Sequence, residues 1–353
     1  MRRSKQPGVV QAFALSLLTL SFFLLGPESA RAQDAAPSAL PTPTLRPDDE
    51  RGVLSFSYEN DIFSNTDRHY TNGVRASYLT SESAMPYWLR SAIASLPLFP
   101  ENGKNRVGFA LGQSMFTPEN TKLSNPNPRD RPYAGWLYGS FGVVSEVKNR
   151  LDLFDIEIGV VGPSSLADTT QKFVHRSITG SQDPKGWDRQ LHDEPGVIIT
   201  YQRKWRGLYE RTVNGLGVDV TPYVGGNLGN VLTQAVGGAT LRIGYDLPAD
   251  YGPPRIRPSL TGADYFLPQH DFGFYFFAGA EGRAVARNIF LDGNSFRDSR
   301  HVEKLPFVGD IQYGVAMTIG DWRVAYTQVA ALREFKGQKA GDSFGSFSIS
   351  TRF

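Results

Sequence analysis

The last nine residues constrain the fold of this chain more than any other stretch. In Gly345-Ser346-Phe347-Ser348-Ile349-Ser350-Thr351-Arg352-Phe353, one face is Phe347, Ile349, Thr351 and Phe353, and the other is Ser346, Ser348, Ser350 and Arg352. Side chains of a β-strand point alternately to opposite faces, so this is a strand with one apolar and one polar side. The alternation returns in residues 151–161, where Phe154, Ile156, Ile158 and Val160 oppose Asp155 and Glu157. It returns again in residues 72–80, where Val74, Ala76 and Tyr78 oppose Arg75 and Ser77. A charged face beside a lipid-compatible face is the pattern of strands that cross a membrane as a closed antiparallel barrel.

Composition agrees with that reading. The chain has 36 glycines, 15 tyrosines, 23 phenylalanines and no cysteine. Disulfide scaffolding, thiol chemistry and Cys-liganded metals are thereby excluded. A net charge of +2 without a basic, aromatic-interleaved cluster gives no case for nucleic acid. No propeller-like repeat is present. Arg2, Arg3 and Lys5, the apolar run from Val10 to Leu25 and the Ala30-Arg31-Ala32 site predict a signal peptide over residues 1–32. Residues 33–49 read as a flexible leader and 50–353 as the barrel domain. The terminal Phe353 resembles the C-terminal signal of outer-membrane barrels, which implies the bacterial outer membrane.

About twelve strands are predicted: 53–60, 72–80, 105–114, 135–147, 150–161, 196–206, 216–227, 235–246, 273–291, 305–319, 322–333 and 343–353. An even count puts both ends in the periplasm, so connections after odd strands face outward. The outward loops are then 61–71, 115–134, 162–195, 228–234, 292–304 and 334–342. Of the inward connections, 81–104 carries an interfacial helix over Met85 to Ser95, and 247–272 is a Pro-rich folded loop. In the third outer loop, Ser165-Leu166-Ala167-Asp168 reads as a capping box for a helix over 166–179. Leu166, Phe173, Val174 and Ile178 form its apolar side, Gly180 its stop, and Asp168, Gln171 and His175 its polar flank.

Of five histidines, His175 alone lies on a predicted ordered element near the acidic first loop; His69, His192 and His301 fall in exposed loops. Histidine suits a general base because its pKa is close to neutrality. Asn60, Asp61 and Asp67 make an oxygen-rich turn suited to a hard cation, calcium or magnesium, or alternatively a solvated turn. No Gly-x-Ser-x-Gly nucleophile motif occurs, which favours a water activated by histidine over a serine. Arg131-Pro132-Tyr133 and Gly135-Trp136-Leu137-Tyr138 read as an aromatic girdle, with Arg131 placed to meet an anionic headgroup.

Five motifs in order carry a family resemblance. They are Glu59-Asn60-Asp61, Thr66-Asp67-x-x-Tyr70-Thr71-Asn72-Gly73, Arg131 to Trp136, His175 with Pro184 to Leu191, and Glu281 to Asn294. Together they resemble the outer-membrane lipid A deacylase family, LpxR. The resemblance implies a twelve-stranded barrel that removes the 3′-linked acyloxyacyl group of lipid A in the outer leaflet, with calcium as cofactor. It implies a site between the barrel wall and a helix of an outer loop. It makes His175 the catalytic histidine, Asn60 and Asp61 the active-site pair and Thr71 a further match; Glu194 is added on loop proximity. Asp61, Asn60 and Asp67 become the expected calcium ligands, lipopolysaccharide the substrate, and a monomer the expected state. An outer-membrane phospholipase and a non-catalytic, porin-like barrel are the alternatives. Strand parity raises one difficulty: Asp61 continues the lumen face with Glu59, whereas Asn60 continues the wall face with Phe56 and Tyr58.

Overall fold

The structure is a computed structural model that describes residues 50–353, apart from 65–68, 96–98, 101, 181, 253–254 and 257–263. The expected signal peptide and leader, and Asp67, lie outside the described residues. Twelve long strands close on themselves: β1 (Val53–Asn60), β2 (His69–Leu79), β3 (Lys104–Thr117), β4 (Ala134–Val147), β5 (Arg150–Val161), β6 (Glu194–Trp205), β8 (Leu216–Gly229), β9 (Leu232–Tyr245), β12 (Phe272–Asn288), β13 (Phe307–Ile319), β14 (Trp322–Ala331) and β15 (Asp342–Arg352). A short β7 (Tyr209–Val213) extends the lower end of β8, and β10 (Ala249–Asp250) pairs with β11 (Phe266–Leu267). Closure comes from β1 on β15 and β6 on β8. Every long strand therefore has both edges paired, which a bilayer requires because its core offers no water to unpaired peptide groups.

Alternation decides the two faces. Leu54, Phe56, Leu111, Ile158, Ile243, Phe276 and Ile311 point outward and are exposed. Ser55, Ser57, Arg75, Asp155, Arg242 and Arg323 point inward and are buried. Among the described residues no helix is long and apolar enough to cross a membrane. The helix α1 (Tyr87–Ala94) and the turn before it place Ile93 and Met85 in one cluster with Val107 and Val143, leaving Tyr87 and Trp88 exposed. The long 273–291 segment is a 17-residue strand followed by the single turn α3 (Ile289–Asp292), whose N-cap Asn288 accepts the Phe290 amide.

The connection between β9 and β12 is more than a folded loop. Its described residues enter the barrel and fill the lumen from the lower end up to Ile256, at the level of Glu59. Tyr251, Tyr265 and Phe266 pack with Val53, Leu79, Val144, Leu151 and Leu153. Above them Asp250, fully buried, meets Arg242, Arg323 at 3.3 Å and the Tyr275 hydroxyl at 2.8 Å. Asp264 accepts Arg75 at 2.9 Å and Ser77 at 2.6 Å. The room comes from serines on neighbouring strands, with Ser55 opposite Ser350 and Ser57 opposite Ser348. A buried charge is tolerable only with such partners, and removing one leaves the others uncompensated. Asp250→Ala should therefore cost about 3–5 kcal/mol, seen as a lower temperature for loss of the compact, heat-modifiable band on gels. An unchanged transition would mean that the plug does not brace the barrel.

Candidate active site

β1 ends where its alternation would have forced a choice of face. Tyr58 and Asn60 continue the outward row of Leu54 and Phe56, and Asp61 then begins a 3₁₀ turn over Asp61–Ser64. The Asn60 Oδ1 accepts the Ile62 amide at 2.7 Å, and its Nδ2 donates to the Tyr58 hydroxyl at 3.0 Å. Asn72, directly opposite Asn60 on β2, donates to the same hydroxyl at 3.2 Å. Strand β2 bulges between Tyr70 and Asn72, which turns Thr71 so that its hydroxyl meets that of Thr117 at 2.7 Å. Asn60, Asp61, Thr71 and Asn72 are all buried. The parity difficulty is thus met by a strand end at Asp61 and a bulge at Thr71.

The third outer loop lays helix α2 (Ala167–Val174) against the outside of β3 and β4. A π-helical turn, His175–Thr179, continues it, and Gly180 ends it at φ +68°. The expected capping box does not form: Leu166 is the N-cap in the left-handed region, and the Ser165 hydroxyl donates to the Gly162 carbonyl. The expected apolar side is also reversed. Leu166 and Phe173 are 57% and 61% exposed, while Ala167, Gln171 and His175 are buried. The buried side of the helix meets the hydrogen-bonding groups of the seam, Gln171 taking the Trp187 indole, while the far side faces outward, so the amphipathic rule for soluble proteins inverts. Gly135 permits the contact: a Cβ there would lie 2.1 Å from Ser165 Oγ and 2.4 Å from Ala167 Cβ. Met115, Tyr133, Ala167 and Trp187 form the core of this seam. Trp187 donates to Gln171 Oε1 at 2.7 Å, and Gln113 donates to the Ser165 carbonyl at 2.6 Å. Gly135→Val should overpack the seam by about 1–3 kcal/mol and lift α2. Faster trypsin cleavage at Lys172 and Arg176 in the folded barrel would report this; a wild-type cleavage pattern would refute the seam.

His175 sits where α-helix passes into π-helix, an irregularity frequent at functional sites. Its Nδ1 is 2.7 Å from the Gln182 carbonyl. A carbonyl only accepts, so Nδ1 carries the proton and Nε2 is the nitrogen that can take one. The two groups of candidate residues both border the β2–β3 pair. Thr71 contacts β3 at Thr117, and α2 covers β3 at Met115, about two strand spacings or roughly 10 Å from β1.

Asn60 and Asp61 offer one buried carboxylate and one amide oxygen, and the Asn72 Oδ1 beside them is buried without a partner. Among the described residues no group of three His, Cys, Asp or Glu side chains is placed to hold a metal ion. A cation here would therefore draw on amide and backbone oxygens around one carboxylate, a donor set that fits calcium and not zinc.

Other expected residues fall elsewhere. Glu194, at the start of β6, accepts Asn230, Asn294 and the Ser295 amide, tying three outer segments together. Trp136 and Tyr138 are not a girdle: they are buried and stack face to face in the lumen core, because Leu137 takes the outward position. Arg131 is buried with Glu334 over the Phe116 ring and does not reach a headgroup. His69 is not in an exposed loop. Its ring nitrogens face Asp342 at 2.6 Å and Asp130 at 3.4 Å, joining the first, second and last outer loops. Burial raises the Asp130 pKa, but the hydrogen bond to His69 and the Glu119 and Arg131 amides outweigh it, so it lies below the usual carboxylate range. That tie contributes stability above the ordinary carboxylate pKa and loses it as pH falls through the lowered one. No sequence signal marked His69, since its two carboxylates are 61 and 273 residues away.

The family model described as outer membrane protein LpxR matches residues 15–353. Among solved structures, LpxR from Salmonella typhimurium is similar at TM-score 0.69 and 20% identity, covering 85% of this chain and 100% of that one. The beta domain of the Bordetella autotransporter BrkA follows at TM-score 0.40 and 9% identity, covering 86% of this chain and 97% of that one. No curated protein matches the sequence.

Proposed function

The chain belongs to the LpxR family of outer-membrane proteins, and from that premise we propose that it is a calcium-dependent hydrolase that removes the 3′-linked acyloxyacyl group of lipid A in the outer leaflet. One observation carries the reading. A helix packed on the outside of β3 and β4 buries its polar stripe, ending in His175, two strands from the buried Asn60 and Asp61 at the end of β1 and one from the buried Thr71 of β2. Such a site opens to lipid and not to the lumen.

In this reading the Gln182 carbonyl holds His175 Nδ1–H, and Nε2 takes a proton from water as the water oxygen attacks the ester carbonyl. The protonated imidazole then returns the proton to the departing alkoxide, leaving a carboxylic acid and an alcohol. Asn60 and Asp61 would hold the calcium, with Asp67 as a further oxygen donor. Bound there, calcium supplies Lewis-acid stabilisation of the tetrahedral oxyanion. Thr71 shapes the wall beside them. Glu194 acts at a distance, by fixing the loops.

Mass spectrometry of lipid A from cells with and without the gene tests the proposal. Loss of one acyloxyacyl unit is expected. Unchanged lipid A with fatty acid released from phospholipid would replace it with a phospholipase, and no change in either lipid with a non-catalytic barrel.

A further inference from the structure

The motif that opens the site has a second side. Its outward members are Asn60, Thr71 and Asn72, while its inward members, Glu59, Tyr70 and Gly73, have no part in the chemistry above. Glu59 is fully buried in the lumen. Its Oε2 accepts the Tyr70 hydroxyl at 2.8 Å, and its Oε1 accepts the backbone amide of Ile256, in the plug, at 2.9 Å. Gly73, opposite Glu59, makes the space: a Cβ there would lie 2.2 Å from the Tyr70 hydroxyl and 3.3 Å from Ile256 Cδ1.

We propose that Glu59 is a positioning residue. Its carboxylate, clamped between the Tyr70 hydroxyl and the plug, fixes the end of β1 at which Asn60 and Asp61 are presented on the opposite face of the wall. Two clamp members are each one peptide from a candidate site residue: Glu59 from Asn60, and Tyr70 from Thr71 at the bulge. A buried carboxylate is a poor choice for stability alone, since well-packed apolar replacements of buried polar clusters are often neutral or stabilising. What the clamp supplies is register: it sets where β1 stops and where β2 bulges, and both set the outward face. The inference rests on the reading that Asn60 and Asp61 belong to the active site.

The test uses the full-length refolded protein, with Tyr70→Phe, which removes one hydroxyl, and Ile256→Pro, which removes one amide hydrogen. Glu59→Gln, which keeps an acceptor for Ile256, is the conservative rescue. Turnover on detergent-dispersed lipid A is measured with hydrogen exchange of the peptide covering Asn60–Ser64. A misplacement on the order of 1 Å costs about 10²-fold, so kcat should fall toward that in Tyr70→Phe and Ile256→Pro with KM unchanged. Exchange at the peptide should rise, and Glu59→Gln should lie between these variants and wild type. A folded Tyr70→Phe with wild-type kcat, or with wild-type exchange, overturns the proposal, and this variant decides if Ile256→Pro does not fold. An active Asp61→Ala variant would instead remove the reading of the site, and exchange would still report the clamp.

Discussion

His175→Ala should leave a folded, heat-modifiable barrel whose deacylation is lower by about 10²–10⁴-fold, the usual contribution of a positioned general base. The size follows from the ring's setting. The Gln182 carbonyl fixes one tautomer, so Nε2 is poised to accept a proton without first exchanging it. The fold should tolerate the change, because His175 stands at the end of α2, past the Ala167–Trp187 seam that anchors the helix. His175→Gln sharpens the test: it keeps a polar side chain of similar reach but cannot act as a base near neutral pH, so it should be as inactive as alanine. Measured turnover near wild type in either variant, with α2 still protected from trypsin, would sink water activation by this histidine.

Removing the cation should have an effect of similar size by a different route. Losing one group that stabilises a developing oxyanion costs about 10²–10³-fold, so chelation by EDTA and Asp61→Ala should each lower turnover by that order. Calcium should restore the chelated wild type and leave Asp61→Ala low at ordinary concentrations. Zinc should not substitute, because the turn offers hard oxygens with neither cysteine nor a pair of histidines. Combining the variant with EDTA should add little to either alone, since both remove the same stabilisation. Full activity in EDTA would separate Asp61 from any metal, while an active Asp61→Ala variant would take that residue out of the site.

The barrel was legible because its rule is local. Period-two alternation between a lipid face and a polar lumen let the strands be counted, and the structure keeps all twelve while lengthening six of them: β3 runs from Lys104 to Thr117 where 105–114 was expected. The candidate site was legible to the extent that its proposed members lie in short motifs, Asn60-Asp61 and the His175 helix. What escaped depends on long-range partners or on which solvent a face meets. The plug could not be foreseen, because Asp250 finds Arg323 only across 73 residues. The face of α2 was misread because Leu166 and Phe173 look like core residues until the outside of the barrel is taken as a hydrophobic medium. Trp136 and Tyr138 look like interface aromatics, yet the parity of β4 turns them inward.

The placement of α2 on the outside of the wall has a kinetic consequence. In the proposed reading, an amphiphile reaching the face between this helix and the wall travels laterally, in two dimensions, without leaving the leaflet. The concentration that matters is then its mole fraction in the surface, and inert detergent or lipid slows the encounter by dilution within the sheet while the bulk amount stays the same. Crowding by neighbouring lipids, and the local packing of their chains, would set the rate of arrival before any bond is broken.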